Sequence, residues 1–237
     1  MSAGEARHSL GLCLSTEGDA RFLGHLDFAK LVERSLRRSG LPVQSTRGFN
    51  PHYRVSYPDA LPLGLASTGE WITVVMNEDL PPDTVQRRLT PALPDWVTVV
   101  DVRRGGAPEP PDAMTYRVEV TSGAGSLAQA LTELLDRDGH LVDDPRGRAP
   151  HDVRAWLADA RVDGDLLVVR LVRSDDRLPR PGLLLEALKA LAAEAGLAEL
   201  AFGVVTKQPA SALPRGDAPW HDANATPQPE VPRASSC

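Results

Sequence analysis

Apolar residues recur at two different periods in the first half of the chain. Phe28, Leu31, Val32 and Leu36 follow helical spacing, and Gly40 stands where such a helix would end. Runs rich in β-branched and aromatic residues, such as WITVVMN, favour strands. The predicted elements are a strand over 9–15, a helix over 26–39, an irregular segment or broken strand over 42–63, a strand over 71–77, a helix over 83–93 and a strand over 96–102.

The second half repeats this order of elements after a linker rich in Gly and Pro at 103–113. Asp163 and Gly164 form the strongest hairpin signal of the chain, and Pro181 opens a helix rich in Ala and Leu. The predicted elements are a strand over 115–121, a helix over 127–137, a polar loop over 138–150, hairpin strands over 153–160 and 165–172, a helix over 181–195 and a strand over 200–206.

Both halves therefore read β-α-β-β-α-β, the order of the ferredoxin-like fold. We predict an α+β protein of two tandem ferredoxin-like units, the first over residues 1–105 and the second over residues 113–207. Residues 208–237 are rich in Pro, Ala, Asp and Gln and offer little apolar surface to bury. A disordered tail is expected there.

The composition indicates a globular protein of the cytoplasm. Apolar residues make up 42% of the chain and charged residues 24%, which is ordinary for a soluble domain. A secretory leader and an apolar run long enough to span a membrane are both lacking, so a cytoplasmic location and no membrane partner are expected. Cys13 and Cys237 are too few for a disulfide framework or an iron–sulfur centre. Glycine-rich phosphate loops and a GxSxG motif are also missing.

Charge is distributed unevenly along the chain. The net charge is −6, yet the segment from Arg21 to Arg54 holds seven Arg or Lys residues against Asp27 and Glu33. That segment therefore carries +5 and all other residues together −11. A basic island on an acidic protein attracts anionic ligands, of which phosphate backbones are the commonest.

The basic residues fall into two groups, a helix stripe and a loop. Lys30, Arg34, Arg37 and Arg38 line one face of the predicted helix, which is also the pattern of a solvated surface helix. The following loop mixes cations, aromatic rings, an amide and an imidazole, a combination that favours binding. The predicted ligand-binding residues are Arg34, Arg37, Arg38, Arg47, Gly48, Phe49, Asn50, His52 and Arg54, with Tyr53 as a second stacking ring.

Two histidines leave a catalytic alternative open. His25 or His52 could act as a general acid or base in RNA cleavage, or His25 could ligate a metal together with Asp27. The plainer interpretation of His25 and Asp27 is a helix start, where the helix dipole favours a carboxylate. Their spacing matches no metal signature, so no metal and no cofactor are predicted.

The stretch RFLGHLDFAKLVERSLRRSGLPVQSTRGFNPHYRVSYPDALPLG, residues 21–64, resembles the bacterial radical-SAM-linked protein family, a domain of unknown function. Members typically carry RF-x-SHLD, a helix with RALRRAGLP, GFNPHP and a PLPLG-like turn. Gly24 replaces the usual serine, and Tyr53 stands at a frequent proline. The resemblance is dense over this stretch and loose over the other globular residues.

The resemblance implies a partner that carries out radical chemistry. Members are fused to, or encoded beside, B12-binding-type radical SAM proteins. In actinobacterial genomes the family neighbours genes for ribonuclease E/G and ribosomal proteins, which implies an RNA-related setting. A looser likeness links the predicted fold to CRISPR-type RAMP proteins, which pair two ferredoxin-like domains and bind RNA; it is an analogy of folds.

These observations together favour a non-catalytic binding or adaptor module associated with a radical SAM enzyme. It would recognise RNA or another phosphate-bearing substrate through its basic face. The alternatives are a metal-independent ribonuclease of RAMP type that uses His25 or His52, and a pure protein–protein adaptor. The sequence leaves the oligomeric state open.

Overall fold

The computed structural model describes residues 8–58, 61–174 and 179–208. Five α-helices, two short 3-10 helices and ten strands lie in these residues. The helices are α1 His25–Arg38, α2 Pro82–Leu89, α3 Ala124–Leu135, α4 Val153–Trp156 and α5 Pro181–Glu194. The strands are β1 His8–Thr16, β2 Val55–Ser56, β3 Leu65–Met76, β4 Val99–Arg104, β5 Ala113–Ser122, β6 Leu141–Val142, β7 His151–Asp152, β8 Leu157–Asp163, β9 Leu166–Val172 and β10 Ala201–Gln208.

One large mixed sheet runs through both halves, in the order β4-β1-β3-β10-β5-β9-β8, with β2 also paired to β3. The pairs within each half are antiparallel. The two halves join where β10 pairs in parallel with β3, with Val205 opposite Leu65 and Lys207 opposite Ser67. The short strands β6 and β7 form a separate two-stranded sheet.

Each half buries its own apolar cluster between the sheet and its helices. In the first half, Leu12 of β1 and Ile72 of β3 pack with Leu36 of α1. In the second half, Val118 of β5 and Leu127 of α3 belong to one apolar cluster. The buried side chains of α5 belong to the same cluster. Burial of these faces fixes α1 against the first three strands, and this packing positions the basic segment.

The mixed α/β class agrees with the prediction, and most elements lie near their predicted places. The predicted linker over 103–113 overlaps the end of β4 and the first residue of β5 and covers the segment between them, although the sheet continues across both halves. The assignment of two ferredoxin-like units stays a prediction at this point, as does the division at 105–113. Apart from its first residue, Gln208, the predicted tail over 208–237 lies outside the described residues.

Several predicted elements differ from the structure: α2 ends at Leu89, β4 begins at Val99, and β6 lies within the predicted polar loop. The strand predicted over 153–160 begins only at Leu157, because Val153–Trp156 forms the short helix α4. The strand predicted to begin at Trp71 begins at Leu65. No helix of the described residues is long and apolar enough to cross a bilayer.

Candidate functional site

Helix α1 presents the basic stripe to solvent. Val32, Ser35 and Leu36 are its buried residues, so Arg34 and Arg37 fall on the exposed side. Arg37 donates to the Glu33 carboxylate at 3.0 Å, an ion pair between neighbouring turns. Because such exposed pairs are worth only ~0.3–0.5 kcal/mol, the Arg37 guanidinium can exchange Glu33 for another anion.

The loop after α1, over residues 46–54, is held together at its base by hydrogen bonds and is exposed at its tip. The backbone N–H of Thr46 donates to the His52 carbonyl at 2.8 Å, and the His52 N–H donates to Thr46 Oγ1 at 3.0 Å. Gly48 has a φ of 143°, a left-handed conformation that favours glycine. The Phe49 side chain is fully exposed at the tip. An exposed ring on a closed loop is available for stacking.

The loop lies against α1, so the two predicted groups form one surface. The Arg37 guanidinium sits 5.6 Å from the centre of the Tyr53 ring, and His52 Nδ1 lies 3.9 Å from Glu33 Oε2. The structure therefore brings together most of the predicted binding residues on what we call the α1–loop surface. Its members are Arg34, Arg37, Arg47, Gly48, Phe49, Asn50, His52 and Tyr53.

Arg38 and Arg54 lie apart from this surface. The Arg38 guanidinium donates to Ser35 Oγ and to the Ala92 carbonyl, so it links α1 to the second 3-10 helix. Arg54 is half-buried, and its backbone bonds to Gln44 and Val75 on either side. Both residues therefore have contacts within the fold, although Arg38 is exposed like Arg34.

The two candidate catalytic histidines are not neighbours. His25 is the first residue of α1, whereas His52 faces Glu33, eight residues further along the helix. At 1.5 Å per residue this separation is about 12 Å along the helix axis. Within the described residues, no group of three or more His, Cys, Asp or Glu side chains could hold a metal. The Asp27 carboxylate pairs with Lys30 at 3.4 Å.

A second feature, missed by the sequence reasoning, is a cavity at the start of α1. We call it the α1 cavity; it is lined by Thr16, Ala20, Leu23, His25, Phe28, Tyr57, Leu61, Glu70, Trp71 and Ile72. The His25 and Phe28 rings meet the Tyr57 ring edge to face, with centroids 5.4 Å and 6.3 Å away. Burial, and secondarily the Glu33 carboxylate, raises the pKa of Tyr57 above its ordinary value.

An ion pair buried at the join of the two halves contributes to the α1 cavity. Glu70 of β3 lines the cavity, and Lys207 of β10 donates to Glu70 Oε2 at 3.2 Å. The two residues are only 6% and 7% exposed. A carboxylate directly before the predicted strand at 71–77 is a weak signal for this site, and no local pattern points to its partner Lys207.

Exposed apolar side chains flank the α1 cavity. Phe22 and Leu26 are 57% and 72% exposed, and the neighbouring Leu63 is 68% exposed. The Gly64 N–H donates to the Arg21 carbonyl at 2.7 Å, which fixes the Leu63 loop beside the first 3-10 helix. These side chains could contact an apolar group on a ligand or a partner.

The buried cysteine offers no nucleophile. Burial raises the pKa of the Cys13 thiol to about 12. Because the thiolate is the reactive form, Cys13 is a core residue, as its apolar surroundings in the sequence indicate.

Comparison with solved structures yields distant likenesses, of which two are described here. No curated protein matches the chain. A crystal structure of an unknown protein from Galdieria sulphuraria is 12% identical, covers 83% of this chain and 98% of its own, and has a TM-score of 0.25. A structure described as "putative glycine cleavage system transcriptional repressor" is 14% identical, covers 83% of this chain and 96% of its own, and has a TM-score of 0.20. Both TM-scores are too low to carry a fold or a function over to this chain.

A family profile gives the firmer result. The profile described as "Uncharacterized protein conserved in bacteria (DUF2344)" matches residues 11–181, which is well over half of the chain. The match spans β1 to the start of α5 and includes the whole α1–loop surface. The chain therefore belongs to this conserved bacterial family.

Proposed function

We propose that this protein is a non-catalytic RNA-binding module that presents RNA to a radical SAM enzyme. The observation that carries the proposal is the joining of α1 and the following loop into one surface. The Arg37–Glu33 ion pair, the approach of His52 to Glu33 and the contact of the Arg37 guanidinium with the Tyr53 ring support that joining.

The chemistry of the α1–loop surface fits single-stranded RNA. Arg34 and Arg37 stand one turn apart on the exposed side of α1, where they can each contact a phosphate. Phe49 is exposed at the loop tip, where it can stack on a base, and Asn50 and His52 beside it can hydrogen-bond base edges. Proteins bind single-stranded nucleic acid with this combination of cations for the phosphates and an exposed ring for stacking on a base.

The strand order supports a finer assignment of the fold. We propose that each half is a ferredoxin-like unit, since the strand orders β4-β1-β3-β2 and β10-β5-β9-β8 place the first strand of each half between its last and its third. The second strand of the first half has only two residues, which is short for such a unit. The partnership with a radical SAM enzyme rests on the family resemblance of residues 21–64.

Charge reversal on α1 tests the RNA-binding role. We expect the double variant Arg34→Glu/Arg37→Glu to lose at least tenfold in affinity for a short uridine oligomer. The slope of log affinity against log salt should flatten by roughly 0.7 for each phosphate contact removed. Fluorescence anisotropy across a salt series measures both quantities.

Arg117→Glu/Arg170→Glu is the matched control. These two arginines are exposed on β5 and β9 of the second half, so the variant has the same charge change away from the α1–loop surface. Equal losses in both double variants would indicate attraction by net charge alone and contradict the proposal. Wild-type protein that binds no RNA, yet co-purifies with the radical SAM protein after nuclease treatment, would favour the pure adaptor.

A further inference from the structure

The exposed face of α1 begins in an apolar patch that lies outside the α1–loop surface. Its members are Phe22, Leu26 and Leu63, and all three side chains are exposed. The Gly64 N–H donates to the Arg21 carbonyl, and this hydrogen bond holds Leu63 beside Phe22. We call these three side chains, together with Arg21, the Phe22 patch. Large apolar side chains that stay exposed side by side are typical of a binding site.

A cation covers part of the aromatic ring in this patch. The Arg21 guanidinium carbon lies 4.4 Å from the centre of the Phe22 ring, and Arg21 Nη1 donates to the Gly18 carbonyl at 3.4 Å. Phe22 is nevertheless 57% exposed, so part of its ring is open to solvent beside the cation. An open aromatic ring next to a guanidinium suits a nucleotide, because the base can stack on the ring while its phosphate pairs with the arginine.

The exposed face of α1 joins the Phe22 patch to the α1–loop surface. Leu26, Lys30 and Arg37 follow each other at intervals of four and seven residues, so they lie in one stripe along the helix. The Lys30 ammonium pairs with the Asp27 carboxylate at 3.4 Å, and the two side chains are 65% and 64% exposed. Because so exposed a pair contributes little, the ammonium can turn to a phosphate instead. The stripe therefore places a cation between the Phe22 patch and the α1–loop surface.

The length of this stripe fits several nucleotides. From Leu26 to Arg37 the helix advances about 17 Å, at ~1.5 Å per residue. A stacked strand rises ~3.4 Å per nucleotide, so about five nucleotides cover that length. The segment from Arg21 to Arg54 carries +5 within an acidic chain, and a strand of phosphates is the ligand that such a charge attracts.

We propose that the Phe22 patch is a second base-stacking subsite and that one RNA strand runs along α1 between Phe22 and Phe49. The base at one end of the strand stacks on the Phe22 ring, and Leu26 and Leu63 cover its edge. The cations of α1 contact the phosphates between the two rings. The inference rests on the proposed RNA-binding function and adds the path and the length of the strand that is bound.

Uridine oligomers of two lengths test the second subsite. Single-strand sites span ~4–16 nucleotides, so we compare an oligomer of about four nucleotides with one of about ten. The long oligomer reaches both rings, whereas the short one occupies the α1–loop surface alone. Phe22→Leu should weaken binding of the long oligomer at least about fivefold, since one stacked base is lost, and leave binding of the short oligomer unchanged. Fluorescence anisotropy measures both affinities.

Three further variants are the controls. Phe22→Tyr keeps an aromatic ring and should bind both oligomers as the wild type does. Phe49→Leu removes the ring of the α1–loop surface and should weaken binding of both oligomers. Phe202→Leu is the matched control: a cation also lies over that ring, with Lys189 Nζ 5.8 Å from its centre, but the ring belongs to β10 in the second half. This variant should leave both affinities unchanged.

The outcomes separate the two proposals. If charge reversal at Arg34 and Arg37 abolishes binding but Phe22→Leu leaves the long oligomer bound as tightly as before, the second subsite alone is overturned. An equal loss for both lengths in Phe22→Leu also overturns it. Wild-type protein that binds neither oligomer overturns the RNA-binding function and the subsite with it. If Leu26→Asp keeps binding of the long oligomer but abolishes co-purification with the radical SAM protein, the patch is a protein interface, and the subsite is overturned.

Discussion

A single carboxylate organises the loop that precedes β7. Asp144 is a buried residue that accepts hydrogen bonds from the Arg146 N–H at 2.7 Å, the Arg148 side chain at 2.7 Å and His151 Nε2 at 3.1 Å. The backbone hydrogen bond from Arg146 is the main cause that lowers the pKa of Asp144 to about 2, with His151 next. The ionised carboxylate is therefore the form that the folded loop binds.

This arrangement predicts an acid-sensitive contribution to stability. A lowered pKa means that the contribution is fully present above the ordinary value of about 3.8 and is lost as the pH falls through about 2. Asp144→Asn should therefore reduce the free energy of unfolding at neutral pH, and the gap to wild type should close across that window. Chemical denaturation at a series of pH values measures the gap.

Asp143→Asn is the control for this prediction, because the Asp143 side chain is exposed. It should leave the free energy of unfolding near that of the wild type at every pH. A gap between wild type and Asp144→Asn that persists below pH 2 would show that the contacts of Asp144 do not depend on its charge.

At the scale of elements, helix α4 shows a local cap overriding a predicted hairpin strand. Residues 153–160 are predicted as a strand because they lead into the Asp163-Gly164 turn, yet Asp152 accepts from the N–H groups of Arg154 at 3.1 Å and Ala155 at 3.3 Å and so begins a helix. Its Oδ1 also accepts from the His140 N–H at 2.9 Å. The available signal was Asp152 itself, because Asp is a favoured residue at the start of a helix.

Removal of this cap should destabilise the protein modestly. We expect Asp152→Ala to lower the free energy of unfolding by ~1 kcal/mol, since it leaves helix N–H groups without an acceptor. Asp152→Asn keeps an acceptor oxygen and should cost less than half as much. Equal losses for the two variants in urea denaturation would show that the charge of Asp152, and not its capping oxygen, is what matters.

The elements that the sequence predicted well are those whose signals are local. Helix α1 begins and ends within one residue of its prediction, and the Asp163-Gly164 turn does join two strands. The first six residues of β3 form a strand because of tertiary pairing instead. Ser67 and its neighbours belong to no predicted element but form a strand because β1 pairs with them on one side and β10 on the other.

The basic stripe was likewise visible in the sequence, whereas the α1 cavity was not. Helical spacing alone places Arg34 and Arg37 on one face. The Glu70–Lys207 pair joins residues 137 positions apart, and only the parallel pairing of β3 with β10 brings them together. No local pattern contains that information. The sequence therefore predicts the α1–loop surface but not the α1 cavity.

For the whole molecule, the Glu70–Lys207 pair ties the two halves together across their join. Both side chains are buried, so loss of one partner leaves an uncompensated charge in the interior. We expect Lys207→Met to lower the free energy of unfolding by about 3–5 kcal/mol. The loss should appear in one cooperative transition, because the pair belongs to the strands that make the two halves a single sheet.

The double variant Glu70→Met/Lys207→Met separates the charge effect from the packing effect. Replacement of both charges by apolar side chains removes the desolvation cost together with the attraction, so the double variant should unfold near the wild-type midpoint. Calorimetry and urea denaturation of the three proteins measure the comparison. A double variant as unstable as Lys207→Met, or a two-step transition in which one half unfolds first, would contradict the role of this pair as the link between the halves.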